Sequence, residues 1–168
     1  MLHPSESPGF LLWHATLRWQ RGISQALAPL DLTHVQFVLL ACTWWLNQQG
    51  HRPSQTALSS FAGTDVKMTS QVLRSLERKG LVEREVDRAD TRALRLRVTR
   101  RGARLAPRAI AVVEQVDAEF FEEVPPTDAL QVLRRLTHVP EPDLEPNRLT
   151  PATDPPQWLT DRSGEVGP

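Results

Sequence analysis

The sequence predicts a mainly α chain of α+β class, in which helices surround one short antiparallel hairpin. Three observations carry that expectation. Apolar residues recur at helical spacing over most of residues 10–137, the stretch Leu94 to Thr99 alternates strictly, and a polar turn separates it from an apolar run at Leu81 to Val86.

Phe10, Trp13, Leu17, Ser24 and Leu27 share one helical stripe, widened by Leu11, Leu12, Trp19 and Ile23, which gives a first helix from Phe10 to about Ala28. Pro29 ends it. Thr33 and Gln36 stand in the Thr-x-x-Gln spacing of a capping box, and Val35 to Asn47 reads as a buried second helix closed by Gly50. Arg52-Pro53-Ser54 opens a short third helix, Gln55 to Phe61, stopped by Gly63. A fourth helix is expected from Asp65 to Lys79, ended by Gly80. Val66, Thr69, Leu73 and Leu76 form its inward stripe with Val72 beside it, and Lys67, Ser70, Gln71, Arg74 and Arg78 line the opposite face.

Two strands follow, joined by the polar turn Asp87 to Arg92 with arginine at its tip. In the second, Leu94, Leu96 and Val98 point one way and Arg95 and Arg97 the other. Beyond Gly102, Leu105, Ala109, Val112, Val113, Val116, Phe120 and Val124 mark a long helix, kinked or restarted at Pro107 and stopped by Pro125-Pro126. Thr127 is placed to cap a last helix through about Thr137.

Four regions result: a flexible lead, 1–9; helical segments 10–30 and 103–138; a compact head, 31–102; and a tail, 139–168, that holds seven of the fourteen prolines and is expected to be disordered. The two helical segments carry more apolar positions than their own head can cover, so they are expected to pair with a second copy.

Twenty basic and twenty acidic residues cancel overall, but residues 67–108 carry thirteen basic groups against five acidic, a local +8. Eighteen of the twenty cations are arginine, whose planar fork suits phosphate. Such a patch is what binding to a phosphate backbone requires. A single cysteine, Cys42, excludes an intrachain disulfide and a Cys-rich zinc site. The start shows no signal-peptide pattern and no apolar stretch is long enough to span a bilayer, so a cytoplasmic protein is expected. No nucleophile elbow, phosphate loop, His-Glu metal motif or dinucleotide fingerprint is present, which argues against an enzyme; no cofactor is expected. His14, His34, His51 and His138 match no compact metal-ligand spacing.

Helix, Gly-containing turn, donor-rich helix, strand, basic turn and strand is the order of a winged helix-turn-helix, flanked here by a helical dimerisation region. A helix and hairpin packed into some other α+β core is the alternative. Leu32-Thr33-x-x-Gln36-Phe37, Leu76-Glu77-Arg78-Lys79-Gly80-Leu81-Val82, Asp87-x-x-Asp90-x-Arg92 and Val98-Thr99-x-x-Gly102 together resemble the MarR family of bacterial transcriptional regulators. The resemblance spans about residues 10–137. It implies a homodimer in which the first, fifth and sixth helices intertwine, and a repressor acting on a palindromic operator in double-stranded DNA. Two departures stand out. Ala89 occupies a wing position where the family often has arginine, and the region Leu11 to Thr16 lacks the thiol of peroxide-sensing members. Cys42 instead reads as a buried, inert thiol.

On this reading the fourth helix enters the major groove. Gln71 pairs with an adenine edge, Arg74 or Lys67 with guanine or phosphate, Ser70 with the backbone, and Arg92 reaches the minor groove, with Arg88 sharing the wing contact. A solvated surface charge is the plainer reading of each. The family's response to small phenolic or aromatic carboxylate effectors implies a pocket, for which Trp13, His14, Arg18, Trp44 and Trp45 are candidates; ordinary core packing is the alternative for the tryptophans. A DNA-silent dimeric module for ligand binding or protein interaction is the rival function.

Overall fold

The computed structural model describes residues 3–87 and 94–137. Six helices and two strands run in the order α1 (Pro8–Leu27), α2 (His34–Gln48), α3 (Gln55–Ala62), α4 (Val66–Arg78), β1 (Val82–Val86), β2 (Leu94–Val98), α5 (Arg100–Phe120) and α6 (Pro126–Leu136). The mainly α class with one hairpin is as expected.

Three boundaries differ from expectation, one of them the end of α5, which stops at Phe120 instead of running on through Val124 to Pro125-Pro126. Residues 3–9 are not a loose lead: Pro4–Glu6 form a 3₁₀ turn capped by His3, and Ser7 caps α1, whose first residue is Pro8. Proline suits a first helical position because the amide it lacks would have no partner there. The same preference moves the start of α6, where Pro126 occupies the first turn, so Thr127 lies inside the helix rather than capping it. The expected tail, 139–168, lies outside the described residues. Pro107 sits within α5, where it leaves the Ala103 carbonyl without its usual donor.

α2 is the centre of the molecule and packs against α1, α3, α4, β2 and α5. Leu39, Leu40, Trp44 and Leu46 are buried along it, and they meet Ile23 and Leu27 of α1, Leu58 of α3, Leu73 and Leu76 of α4, Leu96 of β2, and Ala106, Ala109 and Val113 of α5. A helix apolar on most of its circumference must be enclosed in this way. Its capping box is complete: the Gln36 amide donates to the Thr33 hydroxyl at 3.3 Å and the Thr33 amide to Gln36 Oε1 at 3.2 Å.

β1 and β2 pair antiparallel, with Glu83 opposite Arg97 and Glu85 opposite Arg95. The free edge of β2 is satisfied by the α2–α3 region. Leu96 N donates to the Pro53 carbonyl at 2.9 Å, while Asn47 of α2 receives Val98 N at 2.8 Å and donates to the Leu96 and His51 carbonyls at 3.2 and 2.9 Å. One side-chain amide thus stands in for a missing strand.

The first turn of α5 is pressed onto the start of the hairpin. Thr99 caps it by accepting from Gly102 N at 3.1 Å, and a Cβ at Gly102 would lie 2.0 Å from the Leu81 carbonyl oxygen. That contact explains the glycine in Val98-Thr99-x-x-Gly102. Gly102→Ala is therefore expected to lower stability by about 3 kcal/mol, because the clash is with backbone and cannot be relieved by a rotamer change. Urea unfolding at fixed protein concentration measures this, and an unchanged midpoint would contradict the packing.

Candidate nucleic-acid interface

Short-range chemistry fixes the junction of α3 and α4. Ser54 caps α3 by accepting from Ala57 N, and Gly63 leaves α3 in the left-handed conformation, φ 64°, which a side chain would strain. Ser59 Oγ then donates to the Thr64 carbonyl at 2.8 Å, and the Thr64 and Thr69 hydroxyls meet at 2.8 Å. Asp65 starts α4 by accepting from Lys67 N and Met68 N at 2.9 and 3.0 Å. A carboxylate there also complements the helix dipole.

The far end of α4 is tied to the beginning of α2. Gln36 Nε2 donates to Ser75 Oγ at 3.0 Å, and Lys79 Nζ donates to Gln36 Oε1 at 3.1 Å and to the Asp31 carbonyl, beside the Asp31 carboxylate at 3.1 Å. Arg101 closes the same end by donating to the Lys79 carbonyl at 2.9 Å. Gln36 read from sequence was a cap. Its second use, bridging two helices, carries no sequence signal.

Held this way, α4 buries Thr69, Leu73 and Leu76 and turns Lys67, Gln71, Arg74 and Arg78 to solvent, with Ser70 half-buried at the edge. None of those four exposed side chains is paired with a described residue. The row spans about 16 Å of helix. The inward stripe is shorter than expected, since Val66 is 47% exposed and Met68, unassigned by the sequence reading, is 38% exposed. The core ends at Thr69, and the first turn of α4 projects past it.

The hairpin arginines behave differently. Arg97 contacts Glu83 at 2.6 Å and Glu85 at 2.8 Å, Arg95 contacts Asp87 at 2.5 Å, Arg84 contacts Glu77 at 3.2 Å, and Arg52 joins Glu85 at 2.8 Å. Every described acid of residues 67–108 is spent on these pairs. Among the described residues, the cations of this segment left without a carboxylate stand on the open face of α4 and at the exposed Arg100, Arg101, Arg104 and Arg108 of α5. Leu94 is exposed rather than sharing the buried face of Leu96. Arg88 and Arg92, the wing residues singled out from sequence, lie outside the described residues.

The five residues considered for a pocket do not converge. Trp13 and His14 lie on the exposed first half of α1, Trp44 is buried in the core, and Trp45 stacks on Phe61 with ring centroids 5.7 Å apart. Arg18 alone lines a groove. It lies between α1 (Arg18, Trp19, Arg21, Gln25) and α5 (Val116, Glu119, Phe120), with a volume of about 280 Å³. Trp19, which the sequence reading assigned to the apolar face of the first helix and not to a pocket, donates to Asp117 Oδ1 at 2.7 Å and meets His34 edge-on at 5.0 Å. Burial holds the His34 imidazole below its ordinary value, against a smaller opposing pull from the Asp117 carboxylate. His14, His34 and His51 lie on separate elements, and no described cluster of His, Cys, Asp or Glu is suited to a metal. His138 lies outside the described residues. No single helix among the described residues is long and apolar enough to cross a membrane.

Comparison with known proteins bears directly on this geometry. The MarR family model matches residues 32–94. The HTH-type transcriptional regulator YdcH of Bacillus subtilis is 45% identical over 118 residues, 70% of this chain and 80% of YdcH. The HTH-type transcriptional repressor Rv2887 of Mycobacterium tuberculosis is 36% identical over 113 residues, covering 67% of this chain and 78% of its own. The structure of Rv2887, a MarR family protein, in complex with salicylic acid aligns with 32% identity and TM-score 0.58, over 77% of this chain and 93% of that one. CouR of Rhodococcus jostii RHA1 bound to p-coumaroyl-CoA aligns with 25% identity and TM-score 0.70, over 81% and 93%.

Cys42 is half-buried against the core, and desolvation pushes its thiol up to about 11. At pH 8 only about one thiol in a thousand is then ionised, so modification of the folded protein by a disulfide reagent is expected to run at least ~100-fold slower than in denaturant. Equal rates would show the thiol to be open and reactive.

Proposed function

The chain belongs to the MarR family of winged helix-turn-helix transcriptional regulators, and from that footing we propose that it represses transcription as a homodimer bound to a palindromic operator in the cytoplasm. One observation carries the DNA reading: the open face of α4 keeps Lys67, Gln71, Arg74 and Arg78 free of partners among the described residues, while neighbouring arginines are neutralised by carboxylates. A DNA-silent module has no reason to keep such a row. Its relatives, moreover, are transcriptional regulators, which sets that alternative aside.

In the proposed complex α4 lies in the major groove. Gln71 pairs with an adenine edge, Arg74 and Lys67 take guanine or phosphate, and Ser70 contacts the backbone. Arg92 reaches the flanking minor groove with Arg88 beside it, an assignment that rests on the sequence alone. Dimerisation is supported by unpartnered apolar surface at both ends of the chain: Phe10, Leu11, Leu12 and Trp13 on α1, and Leu130, Val132, Leu133 and Leu136 on α6, are all exposed. No described side chain of α6 is buried by its own chain. A second copy would cover these faces and set two heads side by side. No step of this function needs catalysis.

The effector we propose is a small aromatic carboxylate held in the α1–α5 groove, its anion toward Arg18 and Arg21 and its ring along Trp19 and Phe120. Arg18 already lies 5.6 Å from the centre of the Phe120 ring. The salicylic acid complex of Rv2887 supports this class of ligand. The groove is at the small end of the usual range for ligand sites.

Selection of bound fragments from random DNA is expected to return a two-fold symmetric site. On that site Gln71→Ala and Arg74→Ala should each weaken binding by about ten- to a hundredfold, the cost of one base-reading contact. Unchanged affinity in both variants would remove the DNA model. Salicylate should quench the tryptophan fluorescence of the wild type and do so less in Trp19→Phe; a flat response across a panel of aromatic acids would remove the effector while leaving the DNA reading in place.

A further inference from the structure

The open face of α4 is not uniformly polar. Met68 stands at its edge, 38% exposed, in the turn that projects past the core, and its backbone amide is already committed to the Asp65 cap. At 3.6 residues per turn, Met68 lies about 60° around the helix from Gln71, whereas Val66, the other exposed apolar residue of that turn, lies about 140° away. Met68 is therefore the apolar neighbour of Gln71. Its side chain is absent from the hydrophobic core cluster and from the residues packed against it.

We infer that Met68 is a specificity-determining residue that reads the 5-methyl group of a thymine adjacent to the adenine taken by Gln71. The inference rests on the DNA reading above and deepens it. Three facts converge on a methyl group as the target. In the major groove thymine is distinguished from every other base by that methyl, which only an apolar contact recognises. The residues of a recognition helix that reach base edges are those of its N-terminal part, where Met68 lies. A thioether is polarizable and flexible enough to fit itself to a small apolar knob without a preset rotamer. Gln71 and Met68 together would read an adenine and a neighbouring thymine, one by its hydrogen-bonding edge and the other by its shape.

The test is a cycle between the side chain and the methyl group. After a half-site has been selected with the wild-type protein, each thymine is replaced in turn by deoxyuridine, which removes the methyl and leaves base pairing intact. The wild type should lose about fourfold in affinity at one position, the factor for one buried methyl-sized group. That position should neighbour the base whose identity ceases to matter in Gln71→Ala. Met68→Ala should bind the thymine and uracil sites equally and keep the wild-type melting temperature. Val66→Ala should keep the full preference. The inference is overturned if the wild type ignores every such replacement, if Met68→Ala retains the wild-type ratio, or if Val66→Ala is the variant that loses it. Failure of the underlying DNA reading looks different, because no half-site would then be enriched.

Discussion

Two side-chain amides on one buried helix hold α4 and the hairpin in place. Gln36, at the first turn of α2, grips Ser75 and Lys79 at the end of α4; Asn47, at the last turn, takes the place of a strand along β2. Both are bonds to groups that water reaches poorly, so each lost partner leaves a polar atom unsatisfied at a cost of about 1–3 kcal/mol. α2 can do this because the rest of its surface is enclosed by five other elements. Rod and hairpin are thereby referred to one rigid frame.

That frame also separates charges that composition lumps together. Each strand arginine of the hairpin meets a carboxylate: Arg97 faces Glu83 across the ladder, Arg95 takes Asp87, and Arg84 takes Glu77 of α4. Exposed pairs of this kind add little to stability. Their effect is to remove competing positive charge from the strands, so the field of the head is concentrated along α4 and the start of α5.

Much of this was legible in the sequence because it is local. The Thr33-x-x-Gln36 cap, the start of the fourth helix at Asp65, the glycine exits at Gly63 and Gly80, and the strand at Leu94 to Val98 depend on residues within a few positions of one another, and all eight regular elements appear near their expected bounds, although Leu94 does not share the buried face of Leu96. The face of α4 was legible for the same reason: period alone separates Gln71 from Leu73. What failed depends on distant neighbours. Val66 has the right period for burial, yet no element extends far enough to cover it. The tryptophans look alike on a helical wheel, but Trp44 meets the core, Trp45 meets Phe61, and Trp19 is the one beside the groove. Likewise, nothing in the spacing of Arg95 and Arg97 reveals that Asp87, Glu83 and Glu85 would claim them.

The anchorage of α4 at its Lys79 end has a mechanical consequence. α4, thirteen residues and about 20 Å long, is held at both ends, by Gln36 and Lys79 at its exit and by the Thr64–Thr69 contact near its start. The exit tie is built on the first turn of α2, where His34 also touches Trp19 beside the α1–α5 groove, so one turn of helix is in contact with both the groove and the donor-lined rod.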